Sequence, residues 1–166
     1  MKKTLVVFGS STGNCENFAE IISKKINADV VDVNNINAEK LAEYDNLILG
    51  TSTWGSGEVQ DDWYDGIEKL KQADLNGKTV ALFGCGDADS YSDTFCGGMR
   101  EIYNTVKDAG ANVVDGVDST GYTFDDSESV IDGKFVGLAL DANEDDAKSE
   151  ERIDNWIKLI SSSLWY

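Results

Sequence analysis

The chain has 166 residues, 41% of them hydrophobic and 27% charged, which suits one globular domain with its own core and argues against disorder. Asp and Glu total 31 against 14 Lys and Arg, a net charge of −17, so nucleic acid and anionic lipid are poor partners and basic protein faces are good ones. Histidine is absent, which removes Ser-His-Asp and Cys-His catalysis and His-bound zinc.

Cys15, Cys85 and Cys96 are too few and too scattered for a disulfide framework or a CxxC metal site, and read as reduced thiols. The apolar run from Leu5 to Phe8 is too short for a signal peptide. No stretch approaches the roughly 20 apolar residues of a membrane span. A soluble, cytoplasmic protein is expected, with no metal and no membrane or nucleic-acid partner.

Short apolar runs alternate with helical patterns along the chain. Thr4 to Phe8 reads as a central parallel strand covered on both faces. Cys15, Phe18, Ile22 and Ile26 then follow helical spacing. Ala28 to Val33 reads as a second strand, with Asn37 capping a short helix through Tyr44. Leu47 to Gly50 is a third strand, and Trp63, Ile67 and Leu70 mark the next helix. Thr79 to Phe83 is the fourth strand; Phe95, Met99, Ile102 and Val106 mark a helix that ends at Gly110. Asn112 to Val117 begins a fifth strand that Phe135 to Leu140 resumes, and Ile153, Ile157, Ile160 and Leu164 line a closing helix. Strict alternation predicts an α/β fold, a single domain over 1–166 with a five-stranded parallel sheet and helices on both faces. Rossmann-like and flavodoxin-like (2-1-3-4-5) strand orders both satisfy this pattern. The polar stretch from Ser119 to Lys134 reads as an insertion that splits the fifth strand. Its acids suggest a solvated, partner-facing element that is dispensable for ligand binding.

Ligands of open parallel sheets bind beyond the carboxyl ends of the strands, and three loops there are distinctive. Gly9-Ser-Ser-Thr-Gly-Asn14 joins a strand to a helix start, where converging backbone N–H groups and the hydroxyls of Ser10, Ser11 and Thr12 suit a phosphate. It matches neither GxxxxGK[ST] nor GxGxxG. Thr51-Ser-Thr-Trp-Gly-Ser-Gly-Glu58 and Gly84-Cys-Gly-Asp-Ala-Asp-Ser-Tyr91 each set one large aromatic, Trp54 or Tyr91, among small residues. Two such rings on neighbouring loops could hold a flat ligand between them; the plainer reading is that each plugs the edge of the core.

Together these loops resemble those of the flavodoxin family, and the resemblance runs over essentially the whole chain. Thr4 to Asn14 resembles the family's phosphate loop, Thr51 to Gly55 its second flavin loop, and Gly86 to Phe95 its third; the split fifth strand resembles the long-chain subgroup. The resemblance implies FMN, held non-covalently and carrying single electrons at low potential. It assigns the cofactor to Ser10, Ser11, Thr12, Gly13, Asn14 and Cys15, to Thr51, Ser52, Thr53, Trp54, Gly55 and Gly57, to Cys85, Gly86, Asp87, Tyr91, Asp93, Phe95 and Cys96, and to Asn143. It also implies a redox-linked peptide flip at Gly55–Ser56. Partners would be redox proteins with basic docking faces, of the flavodoxin/ferredoxin reductase type or the oxidoreductase type, meeting a monomer. Cys15 departs from the threonine common in the family, and Ser90 from a glycine. The rival on the same fold is a flavin-dependent NAD(P)H:quinone reductase-like enzyme. A phosphoacceptor receiver domain is excluded, because Gly50-Thr51 stands where its Asp is needed.

Overall fold

The protein is described by a computed structural model covering residues 2–9, 13–54 and 57–165, the side chain of Trp165 excepted. The first apolar run forms β1 (Thr4–Gly9), buried along its whole length because neighbouring strands and helices cover both faces. At Gly13 the backbone takes φ 91°, open to a residue without a Cβ, and turns into α1 (Asn14–Ile26). Cys15, Ala19 and Ile22 bury one stripe of α1, and Lys24 and Lys25 lie in its last turn, where the helix dipole favours cations. β2 (Asp29–Asp32) leads to α2 (Ala38–Ala42), capped as expected by Asn37, whose side chain accepts from Lys40 N at 2.7 Å. β3 (Asn46–Trp54) continues past the expected Gly50 and turns back through Gly57, at φ 95°, into β4 (Glu58–Val59).

The second half contains α3 (Asp62–Gln72), β5 (Thr79–Gly86) and α4 (Met99–Asp108). Helix α4 starts later than the expected Phe95. Residues Ser92–Thr94 form a 3-10 turn, and Cys96 at φ 52° interrupts any helix there. After β6 (Asn112–Val113) come β7 (Val130–Ile131), β8 (Lys134–Phe135), β9 (Leu138–Asp141) and α5 (Asp146–Trp165).

β1 pairs in parallel with β2 and β3, β3 with β5, and β5 with both β6 and β9. The flavodoxin-like order is borne out, with the fifth position shared: β6 lies along Thr79 and Val80, and β9 along Phe83 to Gly86. Phe135, expected to resume that strand, instead pairs with Val130 in an antiparallel hairpin, and the main sheet resumes at Leu138. Alternation along β1 builds two cores. Leu5 and Val7 join Trp63, Ile67, Met99 and Ile102 under α3 and α4, while Val6 and Phe8 join Cys15, Ile22, Trp156 and Ile160 under α1 and α5.

The acids of the insertion are exposed, as expected, but its rings and Ser129 pack inward. Ring centroids of Tyr122, Phe124 and Phe135 lie 6.0, 5.4 and 5.9 Å from that of Phe95. Ser129, fully buried, donates its hydroxyl to Cys96 O at 2.7 Å. Phe95 N donates to Asp126 O at 3.2 Å, and the backbone N–H groups of Asp125 and Asp126 both donate to Ser92 O at 3.0 Å. The inserted segment therefore backs the loop that follows β5.

Candidate functional site

The chain leaves β1 towards β2 on one side and returns to β3 on the other, so a crevice opens at the carboxyl ends of these strands. A cavity of about 210 Å³ occupies it. Its floor comes from Ser52 and Thr53 at the end of β3 and from Cys85, Gly86 and Asp87 at the end of β5. Trp54 and Tyr91 face it from their separate loops and are 43% and 59% exposed. Large rings are seldom left so bare without a function. Asn14, the first residue of α1, lines the cavity as well.

The start of α1 suits an anion. No side chain caps α1 among the described residues, and its first intrahelical bond runs from Asn17 N to Gly13 O at 2.9 Å. The N–H groups of Asn14, Cys15 and Glu16 thus lack intrahelical acceptors and point outward with the positive end of the dipole.

The loops brace one another. Trp54 Nε1 donates to Ser52 Oγ at 2.9 Å, which fixes the indole over its own strand. Thr53 Oγ1 accepts from Gly98 N at 3.1 Å, and Gly57 packs against Thr94 and Gly97, so the β3–β4 turn leans on the loop after β5. Asn143 Nδ2 donates to Asp87 Oδ1 at 2.6 Å and ties that loop to the segment after β9. Asp87 also accepts from Ser90 N and Asp89 N at 2.8 and 3.1 Å. The Asn143 bond, then the Ser90 N–H, hold the Asp87 carboxyl below its ordinary range.

Several expected contacts lie elsewhere. Ser10, Ser11, Thr12 and Gly55, with the Gly55–Ser56 flip, are outside the described residues. Cys15 offers the cleft only its backbone N–H: its thiol is fully buried on the α1 and α5 face, in the cluster that also holds Cys85, and burial pushes it up. Thr51 is buried too. Its hydroxyl donates to Ser52 O at 2.8 Å and accepts from Gln60 N at 3.1 Å, latching the turn rather than lining the cavity. Phe95 turns away into the aromatic cluster with the insertion. Cys96 is buried behind Gly86, its thiol 3.6 Å from both Gly84 O and Leu140 O. Asp93 is exposed on the 3-10 turn and does not line the cavity.

Thr94 and Ala142 line the cavity without having been singled out. Gln60 is a third omission. Only 2% exposed, it accepts from Asp62 N at 3.0 Å through Oε1 and packs so closely under Gly9 that a Cβ there would sit 2.6 Å from that oxygen. An uncharged amide inside the acidic stretch from Glu58 to Asp65 was the available signal.

Fold and cleft define a doubly wound α/β domain shaped for a flat ligand with an anionic end. The Flavodoxin family model matches residues 6–156. Flavodoxin 1 of Escherichia coli (strain K12) is 42% identical over 168 aligned positions, covering 99% of this chain and 96% of that protein. Flavodoxin of Buchnera aphidicola (subsp. Acyrthosiphon pisum) is 40% identical over 96% of each. The crystal structure of Fusobacterium nucleatum flavodoxin bound to flavin mononucleotide superposes with a TM-score of 0.89 at 30% identity, covering 99% of both chains. The chain belongs to the flavodoxin family.

Proposed function

We infer that the cleft holds FMN and that the protein carries single electrons at low potential between other redox proteins. One observation carries this reading: two exposed aromatics, Trp54 and Tyr91, face a single cavity that Asn14, the first residue of α1, also lines, and no side chain among the described residues caps that helix. A flat ring with a phosphate tail fits both features, and the Fusobacterium nucleatum relative was solved with flavin mononucleotide.

Backbone N–H groups at the start of α1, with the loop from Gly9 to Gly13, take the phosphate without a cationic side chain. Trp54 and Tyr91 enclose the ring faces and keep water from them. When bound, FMN supplies one-electron chemistry, and the protein supplies position and field. Glu58, Asp61 and Asp62 beside one aromatic, and Asp87, Asp89 and Asp93 beside the other, make added negative charge in the cleft unfavourable. Each ~1.4 kcal/mol of that cost lowers a one-electron potential by about 59 mV.

The same acids form a docking rim for basic faces of reductases or other oxidoreductases, which a monomer meets in the cytoplasm. No helix among the described residues is long and apolar enough to cross a membrane. A quinone reductase needs open space over one ring face, which two flanking aromatics do not leave.

Mass spectrometry of cofactor released by heat tests the reading. FMN in stoichiometric amount is expected; FAD as the main species overturns it. Bleaching by NADPH alone, without a reductase, would instead favour the quinone reductase.

A further inference from the structure

The loop after β5 carries Tyr91, and it is not close-packed throughout. A second cavity of about 210 Å³ lies against it, lined by Ala88, Ser92 and Phe95 of the loop, by Tyr122 of the insertion, and by Glu144 and Arg152. A loop that borders a void is fixed by its ties more than by packing. Those ties run to two flanks. On one side the Phe95 ring meets Tyr122 and Phe124, and Ser92 O accepts from Asp125 N and Asp126 N. On the other lies the turn after β9. There Asn143 Nδ2 donates to Asp87 Oδ1 at 2.6 Å, Ala142 N donates to Gly86 O at 2.9 Å, and Ala88 N donates to Asp141 Oδ1 at 3.4 Å.

One side chain joins the two flanks. Arg152, on α5, donates Nε to Glu144 Oε1 at 2.7 Å and Nη2 to Glu144 Oε2 at 2.9 Å, a two-point pair with the turn after β9. The same Nη2 donates to Gly121 O at 2.8 Å, and the guanidinium carbon sits 3.7 Å from the centre of the Tyr122 ring. Tyr122 donates its hydroxyl in turn to Ala139 O at 2.7 Å, in β9. The Arg152 and Glu144 side chains are only 11% and 22% exposed, so water and salt screen the pair little.

We propose that Arg152 is a positioning residue for the flavin ring: by holding the insertion to the turn after β9, it fixes the loop that carries Tyr91. The inference rests on the reading of the cleft as the FMN site. Arg152 does not line the cleft and acts on the ring only through the loop. One branch of the route starts at Glu144, whose N–H donates to Asp141 O at 3.1 Å, and passes through Asp141 and Asn143 to Asp87 and Ala88. The other passes from Tyr122 to Phe95. Both end on the loop around Tyr91, and neither reaches the start of α1. Loss of Arg152 therefore loosens the hold on the ring and spares the hold on the phosphate.

Arg152→Met removes the fork while keeping a long side chain. Wild type and variant, freed of flavin and checked for folding by circular dichroism, are titrated with FMN, with riboflavin (which lacks the phosphate) and with inorganic phosphate. FMN and riboflavin should both bind about tenfold more weakly, and phosphate as before. Arg152→Lys keeps the charge without the planar fork, so it should not restore affinity. Glu144→Ala opens the same bridge from its other end. It should weaken FMN too, and its combination with Arg152→Met should add little further. If Arg152→Met does not fold, Glu144→Ala carries the test through the same split between ring and phosphate. A folded variant with full FMN affinity, an equal loss of phosphate binding, restoration by lysine, or additive losses would overturn the proposal. Failure of the wild type to take up FMN would instead refute the cofactor reading. Hydrogen exchange over residues 87–95 then decides whether Arg152 holds the loop: it should quicken in Arg152→Met, and unchanged exchange would overturn the proposal.

Discussion

Tyr91 is placed by its backbone, whose N–H donates to Asp87 O at 2.8 Å, while its ring stays largely in solvent. Stacking adds ~0.5–1.5 kcal/mol beyond the area buried, so Tyr91→Ala should cost about 2 kcal/mol of FMN affinity, roughly thirtyfold. Phosphate binding to the FMN-free protein should hardly change. Fluorescence titration measures both, and an unaltered dissociation constant would remove Tyr91 from the site. Asp87 offers a second test at this scale. Its carboxyl is held low in the folded protein, so the ties it makes are intact above the ordinary carboxylate range and are lost as pH falls through the depressed value. Asn143→Leu removes the largest cause of that depression. Acid release of flavin, followed by its fluorescence, should then move to higher pH; an unshifted midpoint would show that Asp87 does not hold the loop.

Between elements, the decisive contact is that of the insertion with the loop after β5. Ser129→Ala removes the hydroxyl donor from the buried Cys96 carbonyl, which keeps a 3.4 Å bond from Met99 N, and should cost about 1 kcal/mol and speed hydrogen exchange over residues 92–96. A deletion joining Val117 to Phe135 takes more: Phe95 loses Tyr122 and Phe124, and Ser92 loses its two backbone donors. Sequence reasoning made this segment dispensable for FMN. The packing argues for the opposite outcome: a deletion that folds by circular dichroism should bind FMN more weakly than the full chain. Full affinity would mean that the loop holds its shape unaided.

Over the whole molecule acids outnumber cations, 31 to 14. Lys24, Lys25, Lys69, Lys71 and Lys107 occupy the last turns of α1, α3 and α4, away from the cleft, because a cation there faces the negative end of the dipole. Acids crowd the cleft end, on the two aromatic loops and on the insertion. Such a distribution turns the cleft towards a basic partner before contact. Electron transfer to a basic reductase should therefore slow as salt rises, since the Debye length is only ~10 Å at 0.1 M. Stopped-flow rates across a salt series measure it, and a flat profile would mean that the acids serve solubility alone.

Local signals made much of this protein legible in advance. Apolar runs and helical spacing are properties of neighbouring residues, and they were enough for the alternation of strands and helices and for the split fifth strand. Gly13, Trp54 and Tyr91 announced the cleft through residue types that a turn into a helix, or a ring left on a loop, requires. Which way a side chain points depends on what it meets across space, and there the sequence was ambiguous. Cys15 and Phe95 each stood both on an apolar helical stripe and in a ligand loop. Tertiary packing turned Cys15 inward to the core under α1 and α5 and gave Phe95 to the insertion. The extension of β3 to Trp54 was likewise hidden, because small polar residues carry no strand period and only pairing makes them a strand, with β5 at Thr51 and Ser52 and with β4 at Thr53 and Trp54. The acids of the insertion spoke for solvent, but its rings and its buried Ser129, separated in sequence from Phe95 and Cys96, were brought to that loop by the fold alone.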